Sequence, residues 1–410
     1  MSKIVYLIDQ PLDDRNYERF GIGAWMKRNW GVEVWDLTPL AHPRVWTDFL
    51  ESNRALKIFS DYFPIVSWRE LHDRYSTLGK VDFFIDFTGD YWCSLRVKAA
   101  LARRGAIRVT SAPGLNPLPK DHQHRDVVSR LRRLVSGGAG GATTRISNSI
   151  VCRLAAPFTR PGLVIVSGER SVPQKVGAER TLLVHSFDYD IYLKERELSS
   201  QDARVPPYAV FVDQDYCFHP DFLYRDGSFL ATPERYFPAL CNGLRTISEA
   251  LGLQVKIAAH PRAGYKHKER DYFQRIPVEY GRTAELIKGS SLVVCHDSTA
   301  IHFAVLFNKP IIFVTTGELI PAFEGKAIDQ VASELSKTAI NLDTDLRKID
   351  WQAQMSVDAE KYAEFKSKYI KIAGTPERPM WDIVIEHIET AVKSKATPKS
   401  GRCEPVSHDG

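Results

Sequence analysis

Short apolar runs alternate with amphipathic segments along the first half of the chain. Runs rich in β-branched and aromatic residues predict strands, and apolar positions three and four residues apart predict helices. The predicted strands are residues 4–8, 32–36, 81–87, 107–110, 163–166 and 181–185, and the predicted helices are residues 17–30 and 94–104. Because strand and helix alternate, this half predicts a parallel α/β domain.

The same alternation begins again near residue 208. The predicted strands are residues 208–212, 254–258, 292–295 and 310–314, and the predicted helices are residues 233–251, 283–289 and 299–307. This pattern predicts a second doubly wound sheet. A helical stretch over residues 357–392 follows, and we expect it to pack back across both domains.

Length and composition agree with two domains. A chain of 410 residues, 44% hydrophobic and 26% charged, is longer than one hydrophobic core usually serves. A basic, glycine-rich stretch at residues 121–160 breaks the alternation and is interpreted as an insertion. The predicted units are an N-terminal Rossmann-like domain (1–195), a C-terminal Rossmann-like domain (208–345), C-terminal helices (355–393) and a disordered tail (394–410).

Charge and cysteine content narrow the function classes. The formal net charge of +5 is small for this length, which argues against a nucleic-acid partner. The six cysteines are scattered without a CxxC pair, so we expect a reducing cytoplasm, no disulfide framework and no metal site. No segment approaches the ~20 apolar residues that span a bilayer. We therefore expect at most peripheral contact with the inner face of the cytoplasmic membrane.

Polar residues follow the predicted strands of the second domain. Two groups stand directly after strands: His260-Pro261-Arg262 and Asp297-Ser298-Thr299. In open α/β sheets, ligands bind in the crevice outside the carboxyl ends of the strands. Hydroxyls and free N–H groups at a helix start suit a phosphate, and His260 can donate a hydrogen bond to it. Asp213 and Gln214, after the first strand of this domain, are further candidates for nucleotide contact.

The order and spacing of these motifs resemble those of a known enzyme class. Residues 210–315 look like the C-terminal domain of bacterial GT-B sialyltransferases and polysialyltransferases, with His260-Pro261 as the HP motif and Ser298-Thr299 as the later hydroxyl motif. The resemblance implies a GT-B fold with a central cleft, a CMP-activated donor held at its phosphate, and no metal or other cofactor. It also implies that Glu285 binds the nucleotide ribose. Residues 295–313 are also similar to CDP-glycerol glycerophosphotransferases.

The catalytic base is less well marked. The acidic motif that supplies the base in the resembled family has no clear counterpart, so the candidates come from strand ends. An inverting transfer needs a carboxylate that takes the acceptor proton. We rank Asp90, which Gly89 presents on a turn, above Asp86. Asp9, Asp188 and Asp190 are alternatives, and a retaining reaction would make the carboxylate a nucleophile.

The sequence thus predicts a glycosyltransferase that moves a nonulosonic or Kdo-like acidic sugar from a CMP donor onto a bacterial surface glycan or glycolipid. Alternatives are a CDP-glycerol or UDP/GDP-sugar donor, a non-hydrolysing sugar-nucleotide epimerase, and a non-catalytic binding protein. The basic stretch that includes Arg130, Arg132 and Arg133 is either a solvated loop or a contact with anionic lipid.

Overall fold

The computed structural model describes residues 2–52, 54–112, 116–119, 159–172, 180–198 and 206–396. The predicted insertion at residues 121–160, apart from its last two residues, lies outside the described residues. The predicted tail begins inside the last helix, which continues to Ala396, and residues 397–410 also lie outside the described part.

The N-terminal domain is built on a parallel sheet of seven strands in the order β3-β2-β1-β4-β5-β6-β7. The strands are β1 (Lys3–Ile8), β2 (Gly31–Asp36), β3 (Tyr62–Pro64), β4 (Phe83–Asp86), β5 (Ile107–Ala112), β6 (Leu163–Val166) and β7 (Thr181–Leu183). The helices are α1 (Asp14–Arg19), α2 (Ile22–Lys27), α3 (Thr38–Ala41), α4 (Pro43–Glu51), α5 (Trp68–Thr77), α6 (Trp92–Arg103) and α7 (Phe187–Glu197).

The C-terminal domain has a second parallel sheet of six strands in the order β10-β9-β8-β11-β12-β13. The strands are β8 (Tyr208–Val212), β9 (Gln254–Ala258), β10 (Val278–Glu279), β11 (Leu292–Cys295), β12 (Ile311–Thr315) and β13 (Ile340–Asn341). The helices are α8 (Pro220–Asp226), α9 (Pro233–Leu251), α10 (Thr283–Gly289), α11 (Ile301–Leu306), α12 (Phe323–Glu334), α13 (Trp351–Gln354), α14 (Ala359–Phe365) and α15 (Met380–Ala396). The predicted α/β class with two Rossmann-like domains is confirmed.

The chain crosses between the two domains twice. Tyr189 and Leu193 of α7 pack in the core of the C-terminal domain. In the opposite direction, α15 returns to the N-terminal sheet, where Met380, Trp381 and Val384 are buried among residues of β1, β4 and α2. The hydrophobic cores therefore exchange one helix each, which ties the domains together.

A close contact holds the returning helix in place. Gly21, between α1 and α2, has a φ of 65°, and a Cβ there would lie 2.2 Å from Cγ of Trp381. The Trp381 indole Nε1 also donates a hydrogen bond to the carbonyl oxygen of Arg19 (2.9 Å). Gly21 supplies both the left-handed backbone and the space for the indole ring.

Three predicted helices differ from the structure. The predicted helix at residues 17–30 is two helices, because Gly21 interrupts it. The helix predicted at residues 299–307 begins only at Ile301. The stretch at residues 357–392 is divided into α14, a π-helical turn (Lys366–Ile370) and α15. Of the helices within the described residues, none is long and apolar enough to span a membrane.

Candidate functional site

The strand order of the N-terminal sheet reverses between β1 and β4. The order β3-β2-β1-β4 places these two strands side by side, so their carboxyl ends border the crevice where open α/β sheets bind ligands. Asp9 directly follows β1, and Asp86 ends β4. Asp9 Oδ2 accepts a hydrogen bond from the N–H of Gly89 (2.8 Å), which joins the two strand ends. The three predicted acidic candidates Asp9, Asp86 and Asp90 therefore share one edge.

Asp86 is a buried structural carboxylate. Its Oδ1 accepts hydrogen bonds from the N–H and hydroxyl of Thr88 (3.0 and 2.7 Å). Its Oδ2 lies 3.1 Å from Nζ of the fully buried Lys98 and accepts a hydrogen bond from Nε of Arg108 (2.8 Å). Both oxygens are thus engaged, which suits a residue that shapes the loop.

Asp90 and Asp9 have different electrostatic surroundings. Asp90 is half-exposed, and its Oδ1 accepts a hydrogen bond from Lys98 Nζ (2.8 Å). Partial burial would raise the pKa of Asp90, but the hydrogen bond from Lys98 and the charges of Lys98 and Arg108 hold that pKa below its ordinary value. Burial raises the pKa of Asp9, which the Gly89 hydrogen bond only partly offsets. Asp9 is the better proton acceptor of the two.

The strand order of the C-terminal sheet reverses between β8 and β11, and a polar network lies after the carboxyl ends of these two strands. Gln214, after β8, donates from Nε2 to Asp297 Oδ1 (2.8 Å) and accepts at Oε1 from the N–H of Asp297 (3.0 Å). The Tyr216 hydroxyl donates to the same Asp297 oxygen (2.6 Å). Burial raises the pKa of Asp297 against these hydrogen bonds. The network fixes the loop that carries Ser298 and Thr299.

Asp213 connects β8 to the segment after β9. Its Oδ2 accepts hydrogen bonds from the N–H of His260 (3.2 Å) and the hydroxyl of Tyr265 (3.0 Å). The Asp213 side chain is buried, and its hydrogen bond fixes the backbone of His260. His260-Pro261-Arg262 forms a turn closed by the N–H of Ala263 on the carbonyl oxygen of His260 (2.9 Å), with Pro261 at its favoured second position.

His260 lies in a positively charged environment. Burial, and after it the nearby charges of His219, Arg262, Arg15 and Arg54, lower the pKa of His260 to about 3. The ring of His219 lies 4.8 Å from the ring of His260. The arginine charges around this imidazole favour an anionic ligand, which would share Arg262 with Asp221 (3.4 Å) and Arg54 with Asp13.

Two of these cations come from the N-terminal domain. Arg15 is on α1, and Arg54 follows α4 and pairs with Asp13 (2.5 Å). Burial lowers the pKa of Arg262, and the charges of Arg54 and Arg15 lower it further, while Asp221 acts in the opposite direction. The charges of arginines from both domains therefore act on His260 and Arg262 of the predicted phosphate site.

The remaining predicted donor residues lie around this site. Ser298 Oγ accepts a hydrogen bond from the N–H of Ala300 (3.2 Å), so it caps the turn before α11, and Thr299 is exposed. Glu285, on α10, forms a bidentate pair with Arg282, with Nε to Oε2 at 2.8 Å. A ribose ligand would have to share Glu285 with Arg282.

Asp188 and Asp190 lie at the domain crossing. Asp188 Oδ2 is 3.1 Å from Nδ1 of the buried His302, and Asp190 Oδ1 accepts a hydrogen bond from the N–H of Met380 (2.8 Å). Burial raises the pKa of Asp190. These positions suit roles in holding the domains together. Within the part of the chain that the structure describes, no three His, Cys, Asp or Glu side chains cluster as metal ligands.

Sequence reasoning missed one residue that joins the two domains. Asn116 Nδ2 donates to the carbonyl oxygen of Asp297 (2.5 Å), so the segment after β5 reaches the loop that carries Ser298. A lone asparagine in a proline-rich segment gives no periodic signal. Lys98 was missed as well, because a lysine within an amphipathic helix is typically exposed.

The sequence matches no protein-family model and no curated protein. The fold does match solved structures. The wall teichoic acid polymerase TagF (H548A) has a TM-score of 0.53 at 12% identity, over 97% of this chain and 90% of that chain. The glycotransferase of kitacinnamycin has a TM-score of 0.50 at 11% identity, over 95% of this chain and 99% of that chain. The S. aureus MnaA-UDP co-structure has a TM-score of 0.50 at 11% identity, over 98% of this chain and 100% of that chain.

These similarities establish the architecture. They do not show the resemblance to CMP-sugar-dependent sialyltransferases that the sequence motifs predict. Two parallel Rossmann-like sheets, together with these structural neighbours, give the chain the GT-B fold.

Proposed function

We propose that this protein is a GT-B glycosyltransferase that holds a sugar nucleotide on its C-terminal domain and an acceptor on its N-terminal domain. The observation that carries the proposal is the pair of hydrogen-bonded networks at the strand ends, in which Asp9 accepts from Gly89 on one sheet and Asp213 accepts from His260 on the other. The charges of Arg15 and Arg54 also act on His260 and Arg262 of the other domain. Each sheet also presents its polar residues at the point where strand order reverses.

The donor's phosphate is the ligand that this charge favours. His260 donates a hydrogen bond to it, Arg262 supplies a guanidinium, and the Ser298-Thr299 turn supplies hydroxyl and N–H groups. Asp213, Gln214 and Asp297 keep these groups in place through the hydrogen bonds described above. As the sugar leaves, negative charge grows on the phosphate, and fixed cations lower the barrier.

The donor proposed for the first test is a CMP-activated acidic sugar, because the His260-Pro261 and Ser298-Thr299 motifs predict it. Its phosphate and carboxylate are two anionic groups that the arginine charges around His260 favour. A UDP-sugar is the second choice, since MnaA was solved with UDP. A diphosphate also places two anionic groups in the cleft.

The proposed base is Asp9. Asp86 has both oxygens engaged, and the ion pair with Lys98 makes Asp90 a weaker proton acceptor. The raised pKa of Asp9 and its position after the central strand β1 suit removal of a proton from an acceptor hydroxyl. Asp9→Asn should lower donor turnover by about 10²–10⁴-fold, whereas Asp90→Asn should lower it far less. The reverse ranking would assign the base to Asp90.

The donor site is tested by a thermal-shift screen of CMP, CDP, UDP and GDP. A ligand that binds only the folded state stabilises it by about 2.7 kcal/mol at 100 times its Kd. The stabilising nucleotide should lose its effect in His260→Ala and keep it in His387→Ala, an exposed histidine on α15. Loss in neither variant would remove His260 from the site, and no response to any nucleotide would favour a non-catalytic binding protein.

Product analysis then distinguishes the enzyme classes. The sugar nucleotide whose base gave the thermal shift is incubated with the protein, and the products are separated. Transfer, or slow hydrolysis to free sugar and nucleotide, supports a glycosyltransferase. An isomerised sugar nucleotide instead supports the epimerase alternative.

A further inference from the structure

Two exposed tryptophans share one arginine on the N-terminal domain. Trp68 is 39% exposed and Trp92 is 51% exposed, and the Arg96 guanidinium lies 4.4 Å from the Trp68 ring centroid and 5.6 Å from a Trp92 ring centroid. We refer to these three residues as the aromatic platform. Large indole rings left in water usually mark an interaction surface, because burying them is favourable.

The platform is rigidly held. Trp68 is the first residue of α5, whose N-cap Ser67 accepts a hydrogen bond from the N–H of Glu70 (3.2 Å). Trp92 is the first residue of α6, and the Ser94 hydroxyl donates to the carbonyl oxygen of Gly89 (2.5 Å). These hydrogen bonds fix the backbone at both tryptophans, and Arg96 contacts both indole rings, so less conformational freedom is lost when a ligand binds.

The platform adjoins the loop that contacts the proposed base. Trp92 is two residues after Asp90, on the loop whose Gly89 donates its N–H to Asp9. Helices α5 and α6 both begin at the carboxyl edge of the sheet, since each follows a parallel strand. An acceptor whose hydroxyl reaches Asp9 therefore lies at the same edge of the sheet as the platform.

Local charge identifies the kind of ligand. The starts of the two helices carry no basic cluster: Arg69 stands beside Glu70 on α5, and Arg96, which contacts both indoles, is on α6. An anionic lipid surface requires an excess of basic residues. Pyranose rings instead present C–H groups that stack on indole faces and hydroxyls that hydrogen-bond to a guanidinium.

We propose that the aromatic platform binds sugar rings of an oligosaccharide acceptor, one or more residues away from the hydroxyl that is glycosylated. The inference rests on the proposed transferase function. It adds that the acceptor is a glycan of at least two sugars, because a single sugar at Asp9 leaves the platform uncovered.

The test measures binding of the full-length protein to a printed array of several hundred defined oligosaccharides. Wild type is compared with Trp68→Ala/Trp92→Ala and with the control Phe229→Ala, which removes an exposed aromatic ring on the C-terminal domain. For glycans that wild type binds, we expect the affinity to fall roughly two- to tenfold for each indole removed, with no change in the control. Unchanged melting temperatures confirm that each variant is folded.

Two results would overturn the inference: no glycan bound by wild type, or equal binding by the double variant. If wild type binds phosphatidylglycerol vesicles but no glycan, and the double variant no longer binds the vesicles, the platform would be assigned to the membrane instead. The nucleotide thermal shift separates this failure from failure of the proposed function. A double variant still stabilised by the nucleotide retains the donor site, whatever the array shows.

Discussion

Replacing Gly21 with alanine tests how the returning helix α15 is attached to the N-terminal domain. Gly21 has a φ of 65°, and the added Cβ would lie 2.2, 2.3 and 2.6 Å from Cγ, Cδ1 and Cδ2 of Trp381. Real Cβ atoms do not approach ring atoms so closely, so the indole or the backbone must move. The Trp381 indole also holds the Arg19 carbonyl oxygen at the end of α1, the helix that carries Arg15.

The expected loss has two parts. A left-handed backbone costs an alanine about 1–2 kcal/mol. Overpacking a filled core costs about 1–3 kcal/mol. We therefore expect Gly21→Ala to lower the free energy of unfolding by roughly 2–5 kcal/mol. Gly105→Ala is the matched control: its φ is 84° and no heavy atom lies within 4 Å of the added Cβ, so it incurs only the backbone cost.

Urea unfolding followed by tryptophan fluorescence measures both variants. The Gly21→Ala midpoint should fall clearly below the Gly105→Ala midpoint, and both should lie below wild type. Equal midpoints for the two variants would refute the reasoning, because they would mean that no close packing exists between Gly21 and Trp381. A Trp381→Phe background should recover part of the Gly21→Ala loss, since the smaller ring leaves space for the methyl group.

Three further predictions concern the two strand-end networks. Lys98→Met should lower the free energy of unfolding, measured in urea, by about 3 kcal/mol, because the buried carboxylate of Asp86 loses one of its two cations. A decrease of less than about 1 kcal/mol would contradict this. The pKa of His260 is about 3 in the folded protein and about 6.5 in the unfolded chain. Between these pH values the unfolded chain binds the proton more readily, so the free energy of unfolding decreases as the pH is lowered. Between pH 6.5 and pH 5 this effect should lower the free energy of unfolding by about 2 kcal/mol. In urea unfolding at both pH values, His260→Gln should lack this part of the decrease. Asn116→Ala should weaken nucleotide binding in isothermal titration by roughly two- to tenfold, because the loop after Asp297 loses its hydrogen bond from the other domain; an unchanged Kd would show that the contact does not support the site.

Local patterns were sufficient for most of the fold. The strand cores at residues 4–8, 208–212 and 292–295 were predicted because both faces of a parallel sheet are buried, which leaves continuous apolar runs. The short strands Tyr62–Pro64, Val278–Glu279 and Ile340–Asn341 were not predicted. Edge strands of two or three residues carry too little periodicity to be distinguished from loops.

The candidate site was only partly predictable. His260 and Asp297 were found because polar residues directly after apolar runs mark strand ends, where ligands bind. The sequence did not reveal that Asp86 is neutralised by Lys98 and Arg108, which are distant along the chain. It also did not show that the charges of Arg15 and Arg54 act on His260, because that interaction exists only when the two domains pack.

The sequence by itself determined the two α/β domains and the positions of the strand-end motifs, because hydrophobic periodicity and turn chemistry act over a few residues. Only the tertiary structure decided which residues of the two domains meet. It brought Asn116 to Asp297 and placed Trp381 against Gly21. It also paired Lys98 with two carboxylates. These contacts depend on the burial of surfaces far apart in the chain, and burial shifts charge and pKa in ways that no local pattern records.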